Sequence, residues 1–263
     1  MKCKVCSRDS LPLGQARILG RHDVRYFRCA SCGFVQTEKP YWLEESYADD
    51  INRTDVGLVR RNIELANTLK VLLPLISDAD KSFLDYGGGY GLLVRLMRDE
   101  GYDFYWQDAH CENLFAQDFA AERGRKYELL TAFEVIEHLE DPRAGLTEML
   151  GYADMVLLGT YLLPEPCPRP GDWWYYGLDH GQHIAFQSRA SLLALAAGAG
   201  AQLCSNGMNL HLVSRRPVSE RRFRLATRKF TAALLAPFLR RRTLLQDDFS
   251  HSIRQLTRKA GQP

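Results

Sequence analysis

Residues 83–91 read Phe-Leu-Asp-Tyr-Gly-Gly-Gly-Tyr-Gly, an apolar run that ends in four glycines within five positions. Glycine lets the backbone turn sharply and lets a ligand approach the main chain without meeting a Cβ. The segment therefore predicts a strand over 82–86, a ligand-binding turn, and a helix over 92–100. The dinucleotide fingerprint G-x-G-x-x-G needs a third glycine where this chain has Leu92, and no Gly-Lys-Ser/Thr follows as a Walker loop requires. The spacing Gly87-x-Gly89-x-Gly91 argues against a nicotinamide or flavin dinucleotide and against a P-loop.

Downstream the pattern alternates. Strands are predicted over 103–107, 127–133 and 154–160, with helices over 113–123 and 142–151, the latter opened by Asp141 as N-cap and Pro142 at the first helical position. Ser188 caps a helix to Ala199, and 201–205 with 209–214 suit a closing antiparallel pair. This order implies a parallel α/β sheet. Upstream, 41–50 is aromatic and acidic, and over 55–73 Val56, Val59, Ile63, Ala66, Leu69 and Leu72 recur at helical spacing until Pro74, which is expected to end that helix. Residues 161–187 break the alternation with four prolines, the run Trp173-Trp174-Tyr175-Tyr176 and the sequence Asp179-His180-Gly181-Gln182-His183. A loop this long in a compact domain is more often functional than accidental.

Four of the seven cysteines form two pairs, Cys3-x-x-Cys6 and Cys29-x-x-Cys32, and the second follows alternating residues Val24 to Phe27 that suit a hairpin. Four thiolates on two such knuckles complete a tetrahedral zinc shell, the staple that a domain of about forty residues needs in order to fold. The 22 intervening residues exceed the commonest ribbon spacing and leave an iron–sulfur cluster as the alternative. A closed four-cysteine site has no position for chemistry, so its expected role is structural. Cys111, Cys167 and Cys204 read as buried or incidental thiols.

The motif Asp85-x-Gly87-x-Gly89-x-Gly91 after an apolar strand resembles the first motif of class I S-adenosylmethionine-dependent methyltransferases. Asp108 ends the next strand 21 positions after Gly87, and Phe133-Glu134-Val135-Ile136-Glu137-His138-Leu139-Glu140-Asp141-Pro142 resembles that family's fourth-strand signature. The resemblance implies a Rossmann-like, doubly wound sheet of the seven-stranded type over 81–214. It also implies S-adenosylmethionine held by Asp85, Gly87, Gly89, Gly91, Asp108 and Glu134, with Asp108 on the ribose. Glu134 suits a solvated strand end equally well. Only 25 residues separate Asp108 from Glu134, little room for the family's third strand, and Asp118-Phe119 is the nearest candidate for an adenine contact. An acceptor hydroxyl or carbon acid needs a base, and a histidine titrates in the right range. His180 and His183, with Asp179 to orient an imidazole, compete with His138 for that role, whereas His22, His110 and His211 read as ordinary residues. The aromatic run suits either stacking on a sugar or a satellite core. With the four-cysteine module, the chain is similar to deoxysugar C-methyltransferases and related glycan-directed enzymes, although its 263 residues are expected to be too few for their further C-terminal domain; a small, carbohydrate-linked acceptor is expected.

The formal net charge of +2 hides a basic end: residues 215–263 hold thirteen Lys or Arg against three Asp or Glu. Over 221–242 these cations interleave with Phe223, Leu225, Phe230, Leu234 and Phe238, which suits either peripheral contact with an anionic membrane or a basic helix packed on the acidic body. No motif supports nucleic-acid binding, although a methyltransferase-like RNA- or protein-binding module and a nucleic-acid methyltransferase are the rival readings. Without a long apolar run or a signal-like N-terminus, the expected location is cytoplasmic, peripheral to the inner membrane surface at most. The expected organisation is a zinc ribbon over 1–45, a helical linker over 46–80, the S-adenosylmethionine-binding domain over 81–214 and a basic amphipathic tail over 215–263.

Overall fold

The structure, a computed structural model, describes residues 1–47 and 55–260, so the end of the aromatic and acidic stretch 41–50 and part of the linker 46–80 lie outside it. Strands β1 (Ser10–Ile18) and β2 (His22–Cys29) form an antiparallel hairpin, and the alternation read from the sequence buries Val24 and Tyr26 while Arg25 faces solvent. β3 (Val35–Thr37) and a single helical turn, α1 (Leu43–Ser46), follow. Helix α2 (Leu58–Ile76) runs past Pro74 rather than ending at it. Proline removes the N–H that would bond the carbonyl four residues back; here the Tyr102 hydroxyl donates to that freed Lys70 carbonyl at 3.4 Å, and Ser77 closes the helix by donating from both N and Oγ to Leu73 O.

β4 (Ser82–Tyr86), α3 (Leu92–Asp99) and β5 (Asp103–Gln107) fall where expected. The helix predicted over 113–123 does not form. The Asn113 side chain accepts from Ala116 N at 2.9 Å and donates to Ala116 O at 2.7 Å, so a polar side chain outcompetes the helical ladder and leaves a string of turns. β6 (Leu130–Phe133) is shorter than predicted; α4 (Pro142–Tyr152) starts on the Asp141 cap, whose carboxylate accepts from Arg143 N and Ala144 N, and β7 (Met155–Gly159) follows. The two-residue strand β8 (Ala185–Phe186) precedes α5 (Arg189–Gly198), which opens with a Ser188–Ser191 capping box, and then β9 (Gln202–Ser205) and β10 (Leu210–Ser214). The basic end folds into α6 (Glu220–Ala226), α7 (Lys229–Leu235) and α8 (Leu245–Ala260).

The chain forms two compact units. The first joins Met1–Asp55 to Ala132–Val218. In it, the cysteine-bearing hairpin is one part of a four-stranded antiparallel sheet, order β1-β2-β3-β8, whose last strand comes from the proline-rich insertion. Tyr176 of that insertion packs edge-on against Tyr26 and Phe186, with ring centroids 5.3 and 4.8 Å away. The aromatic run therefore divides: Tyr175 and Tyr176 are core, whereas Trp174 is 69% exposed. The same unit holds strands in the order β6-β7-β10-β9, with β10 antiparallel to both neighbours.

The second unit joins Val56–Thr131 to Ser219–Pro263. Here β4 lies between β5 and the start of β6, parallel to both. Counting β6 once, the described residues give six strands of a mostly parallel, Rossmann-like α/β sheet. The seventh that the resemblance implies would fall between β5 and β6, where an isolated bridge between Trp106 and Ala120 stands instead. No helix among the described residues is long and apolar enough to cross a membrane.

The basic end belongs to this unit's core. α6 and α7 pack on α2, and α8 delivers Asp248, 4% exposed, to Arg98, 5% exposed. The pair is bidentate at 2.9 and 2.7 Å, and the guanidinium also donates to Asp103 and Phe104 O and lies over the Phe119 ring. Burial raises the Asp248 carboxyl, but its bonds to Arg98 more than reverse this and leave it below the usual carboxylate range. That stabilisation is therefore fully present at neutral pH and is lost as pH falls through the lowered value. Removing one partner of a buried pair strands the other charge, so Asp248→Ala is expected to destabilise the protein by about 3–5 kcal/mol in urea unfolding at neutral pH, with the difference from wild type shrinking in acid.

Candidate functional site

In the second unit, buried Phe83 and Leu84 anchor β4 so that the glycines leave the sheet at its carboxyl end. Gly87 N and Gly88 N both donate to Gln107 O, at 2.8 and 3.1 Å, and the Trp106 indole donates to Gly89 O at 2.7 Å. Gly87, Gly89 and Gly91 take φ of +68°, +53° and +83°, a region costly to residues with a side chain. A Cβ at Gly88 would meet Trp106 Cδ1 at 2.9 Å and one at Gly91 would meet Asn113 Oδ1 at 2.6 Å, but one at Gly89 would meet nothing within 4 Å. The turn is thus packed on its flanks and open at its centre. Asp108 sits beside that opening, one oxygen accepting from Gly89 N at 2.9 Å and the other from His110 N and Cys111 N at 2.8 and 2.9 Å. Asp85 is buried under the turn, and the Thr131 hydroxyl donates to it at 2.7 Å. Phe119 is committed to Arg98 and to the His251 ring 5.5 Å away, which accounts for the side chain read as an adenine contact.

In the first unit, Glu134 directly follows the end of β6, holds φ of +54° and donates its N–H to Gly159 O at 2.8 Å. A non-glycine residue in this region stores strain of the kind that collects at functional sites. A 3-10 turn, Ile136–His138, then presents Glu137 and His138. The Tyr175 hydroxyl donates to Glu137 Oε1, while Oε2 is buried without a hydrogen-bond partner among the described residues. His183 stands between His138 and His180, with ring centroids 4.9 and 4.8 Å away. Its Nδ1 lies 2.7 Å from Tyr175 O; a carbonyl only accepts, so Nδ1 carries the proton and Nε2 the lone pair. Burial, with His138 and His180 beside it, holds His183 well below the usual imidazole range. His180 accepts Gln182 N–H on Nδ1 at 3.1 Å and rests its Nε2 edge over Gly177. His138 Nδ1 lies 2.7 Å from the Tyr47 hydroxyl. The three histidines named from the sequence are thus one cluster. Glu137, quoted within the signature but given no role, is at its base, and Tyr47 gave no signal at all.

The four cysteine sulfurs lie within 4.8 Å of one another, Cys3 and Cys32 at 3.7 Å and Cys6 and Cys29 at 3.4 Å. Sulfurs on one tetrahedral zinc at about 2.3 Å stand roughly 3.8 Å apart, whereas a disulfide needs about 2.05 Å. The two knuckles are conformational copies. Cys3 N bonds Arg8 O and Ser7 N bonds Cys3 O at 2.8 and 2.9 Å; Cys29 N bonds Phe34 O and Gly33 N bonds Cys29 O at 2.8 and 3.0 Å. Ser7 and Gly33 share positive φ, and Val5 N and Cys32 N donate to Cys3 and Cys29 sulfur. This donor set fits zinc. A hydrogen bond from Cys32 pushes Cys3 down to about 5 and leaves Cys32 raised.

Burial, reinforced by Asp108 and opposed by Thr131, pushes the Asp85 carboxyl up from 3.8 to about 7. Between those values the folded state binds a proton that the unfolded chain has released, so this group costs stability as pH rises through the interval. Asp85→Asn is expected to remove that decline and to be more stable than wild type above pH ~7 by a few kcal/mol, at about 1.4 kcal/mol per unit; thermal melts across pH check it.

The methyltransferase-domain family matches residues 59–206, more than half of the chain. Among solved structures, the chain is similar to TnmH at 16% identity (62% of this chain, 57% of that one, TM-score 0.44). It is similar to magnesium protoporphyrin IX methyltransferase (ChlM) from Synechocystis PCC 6803 with bound SAH at 15% identity (66% of this chain, 93% of that one, TM-score 0.45). The pyocyanin biosynthetic protein PhzM is similar at 14% identity (68% and 62%, TM-score 0.48). This chain thus spans less than two thirds of TnmH and of PhzM. No curated protein matches the sequence. From the breadth of the family match over 59–206, which includes the glycine turn, Asp108 and the Glu134–Pro142 signature, the chain belongs to the methyltransferase-domain family.

Proposed function

We propose that the protein transfers the methyl group of S-adenosylmethionine to a small, sugar- or glycan-linked acceptor. The observation that carries this reading is the Asp108 carboxylate, held by three backbone N–H groups beside a glycine turn open at Gly89. A carboxylate in that setting accepts hydrogen bonds from a vicinal diol such as a ribose, and an open turn admits a ligand against the main chain. The sulfonium supplies an activated methyl group, so the protein's share is to bind, orient and exclude water. His183, neutral and with Nε2 unprotonated, is the acceptor base this reading favours, with His138 beside it and His180 packed behind it.

The acceptor class is carried over from the resemblance to glycan-directed enzymes. A cavity of about 900 Å³ beside the second cysteine knuckle, lined by Arg28, Tyr161 and Arg189, offers guanidinium groups and a tyrosine ring that suit a sugar carrying phosphate or hydroxyls, but its lining includes none of the three histidines. Zinc in the four-cysteine site is the structural cofactor of this reading. Peripheral contact with an anionic membrane is its location, argued from Phe230, Leu234 and Phe238, 77%, 53% and 80% exposed at four-residue spacing beside Arg240, Arg241 and Arg242.

Calorimetric titration with S-adenosylmethionine and S-adenosylhomocysteine tests the cofactor. Wild type is expected to bind both, and Asp108→Ala to bind about 10- to 100-fold more weakly, the worth of a charged hydrogen bond. Gly89→Val is expected to abolish binding by filling the open centre; absence of heat with wild type sinks the reading. In sedimentation with anionic vesicles, Phe230→Ser with Phe238→Ser is expected to lower the bound fraction, and indifference to both changes removes the membrane contact.

A further inference from the structure

We propose that Glu137, His138 and His183 form a second metal site, for a divalent first-row transition cation, whose open coordination positions take an oxygen of the methyl acceptor. One donor atom from each side chain lies within 4.8 Å of the other two. Donors on one ion at about 2.0–2.2 Å stand roughly 3–4 Å apart, so small side-chain shifts close the cluster on a cation.

The surroundings of each ligand are those of a built site. Glu137 has one oxygen fixed by Tyr175 and the other buried and unanswered among the described residues. A buried oxygen without a donor costs free energy that a cation would recover. His183 spends Nδ1–H on a backbone carbonyl and keeps its Nε2 lone pair, the tautomer a metal-ligating histidine adopts when its far nitrogen is held by the protein. His138 is held through Nδ1, 2.7 Å from the Tyr47 hydroxyl. The two ligand-bearing segments are clamped together, since Ile184 N donates to Glu137 O at 2.9 Å next to His183.

The donor set selects the ion class. Imidazole with carboxylate suits zinc, manganese, cobalt or ferrous iron rather than calcium, and three protein ligands leave positions open, unlike the closed four-cysteine shell. The open position's role rests on the methyl-transfer reading above. With the ion bound, His183 Nε2 is a ligand and no longer the base named above; the ion lowers the pKa of the bound acceptor hydroxyl, whose proton passes to solvent. The acceptor oxygen then forms a bond to the methyl carbon as the carbon–sulfur bond breaks, the electron pair stays on sulfur, and the products are a methyl ether and S-adenosylhomocysteine.

The test is a metal titration that needs no turnover. Full-length protein is first saturated with zinc at the cysteines, which bind manganese weakly, and Mn²⁺ is then added while free Mn²⁺ is followed by electron paramagnetic resonance. Wild type is expected to take up a single further ion; Glu137→Gln and His183→Ala are expected to lose it, and Tyr175→Phe to weaken it about 10-fold through the lost support of Glu137. Asp108→Ala is expected to bind Mn²⁺ as wild type does. No uptake by wild type, or uptake unchanged in both Glu137→Gln and His183→Ala, overturns the site. Because wild type is itself decisive, a variant that fails to fold does not rescue the idea. Mn²⁺ uptake without any S-adenosylmethionine binding would instead leave the site standing and sink the methyl-transfer reading.

Discussion

A carboxylate taken out of water has to be answered from within the protein, and in the first unit that demand falls at Glu137. Its position is dictated by β6, which is followed by strained Glu134 and tightens at once into a 3-10 turn. The answer comes from the insertion: Tyr175 reaches Glu137 Oε1 only because Trp174–Tyr176 wind into a turn closed by Gly177 at φ +57°. That same turn aims Tyr175 O at His183 and leaves room over Gly177 for His180. The loop that looked irregular in sequence is therefore folded around one buried carboxyl group, and its histidines are placed as a consequence.

In the second unit carboxylates do a different task, which is to hold backbone. Asp108 gathers three N–H groups and so fixes the glycine turn without occupying its open centre. Asp248 fixes α8 by capturing Arg98, whose guanidinium also ties the start of β5. The two roles carry different consequences for change. Asp108 bonds only backbone beside the open centre of the turn, whereas Asp248 is sealed with its cation and cannot be removed without leaving a buried charge.

What the sequence made legible was local. Glycine spacing, two C-x-x-C pairs, the Asp141–Pro142 helix start and the His180–His183 pair each follow from residues within a few positions of one another; that His138 joins that pair does not. What escaped depended on partners far along the chain. Arg98 and Asp248 are 150 positions apart, so nothing in the pattern of the basic end says that it closes a core. Tyr102 satisfying Lys70 O is what lets α2 pass Pro74, and periodicity has no access to it. The failed helix over 113–123 is the instructive exception, because its cause is local: Asn113 bonds Ala116 through its side chain, a competition that apolar periodicity does not weigh. Glu137 was in view within a quoted signature, yet its burial depends on a tyrosine 38 positions away.

The most consequential of these long-range links is β3 with β8. Val35 pairs Phe186 and Gln36 pairs Ala185, so the strand that follows the second cysteine knuckle is the one against which the end of the insertion is registered. Ser188 continues the attachment by donating to Cys32 O at 2.5 Å. A two-residue strand has too few bonds to set its own position; it takes it from β3, and β3 takes its own from the hairpin and the knuckles. His183 lies two residues before β8. A metal held by the cysteines would stiffen the knuckles and with them the edge on which His183 depends, although among the described residues no cysteine touches a histidine. The N-terminal module is thus the margin of the sheet that seats β8 rather than an appendage to it.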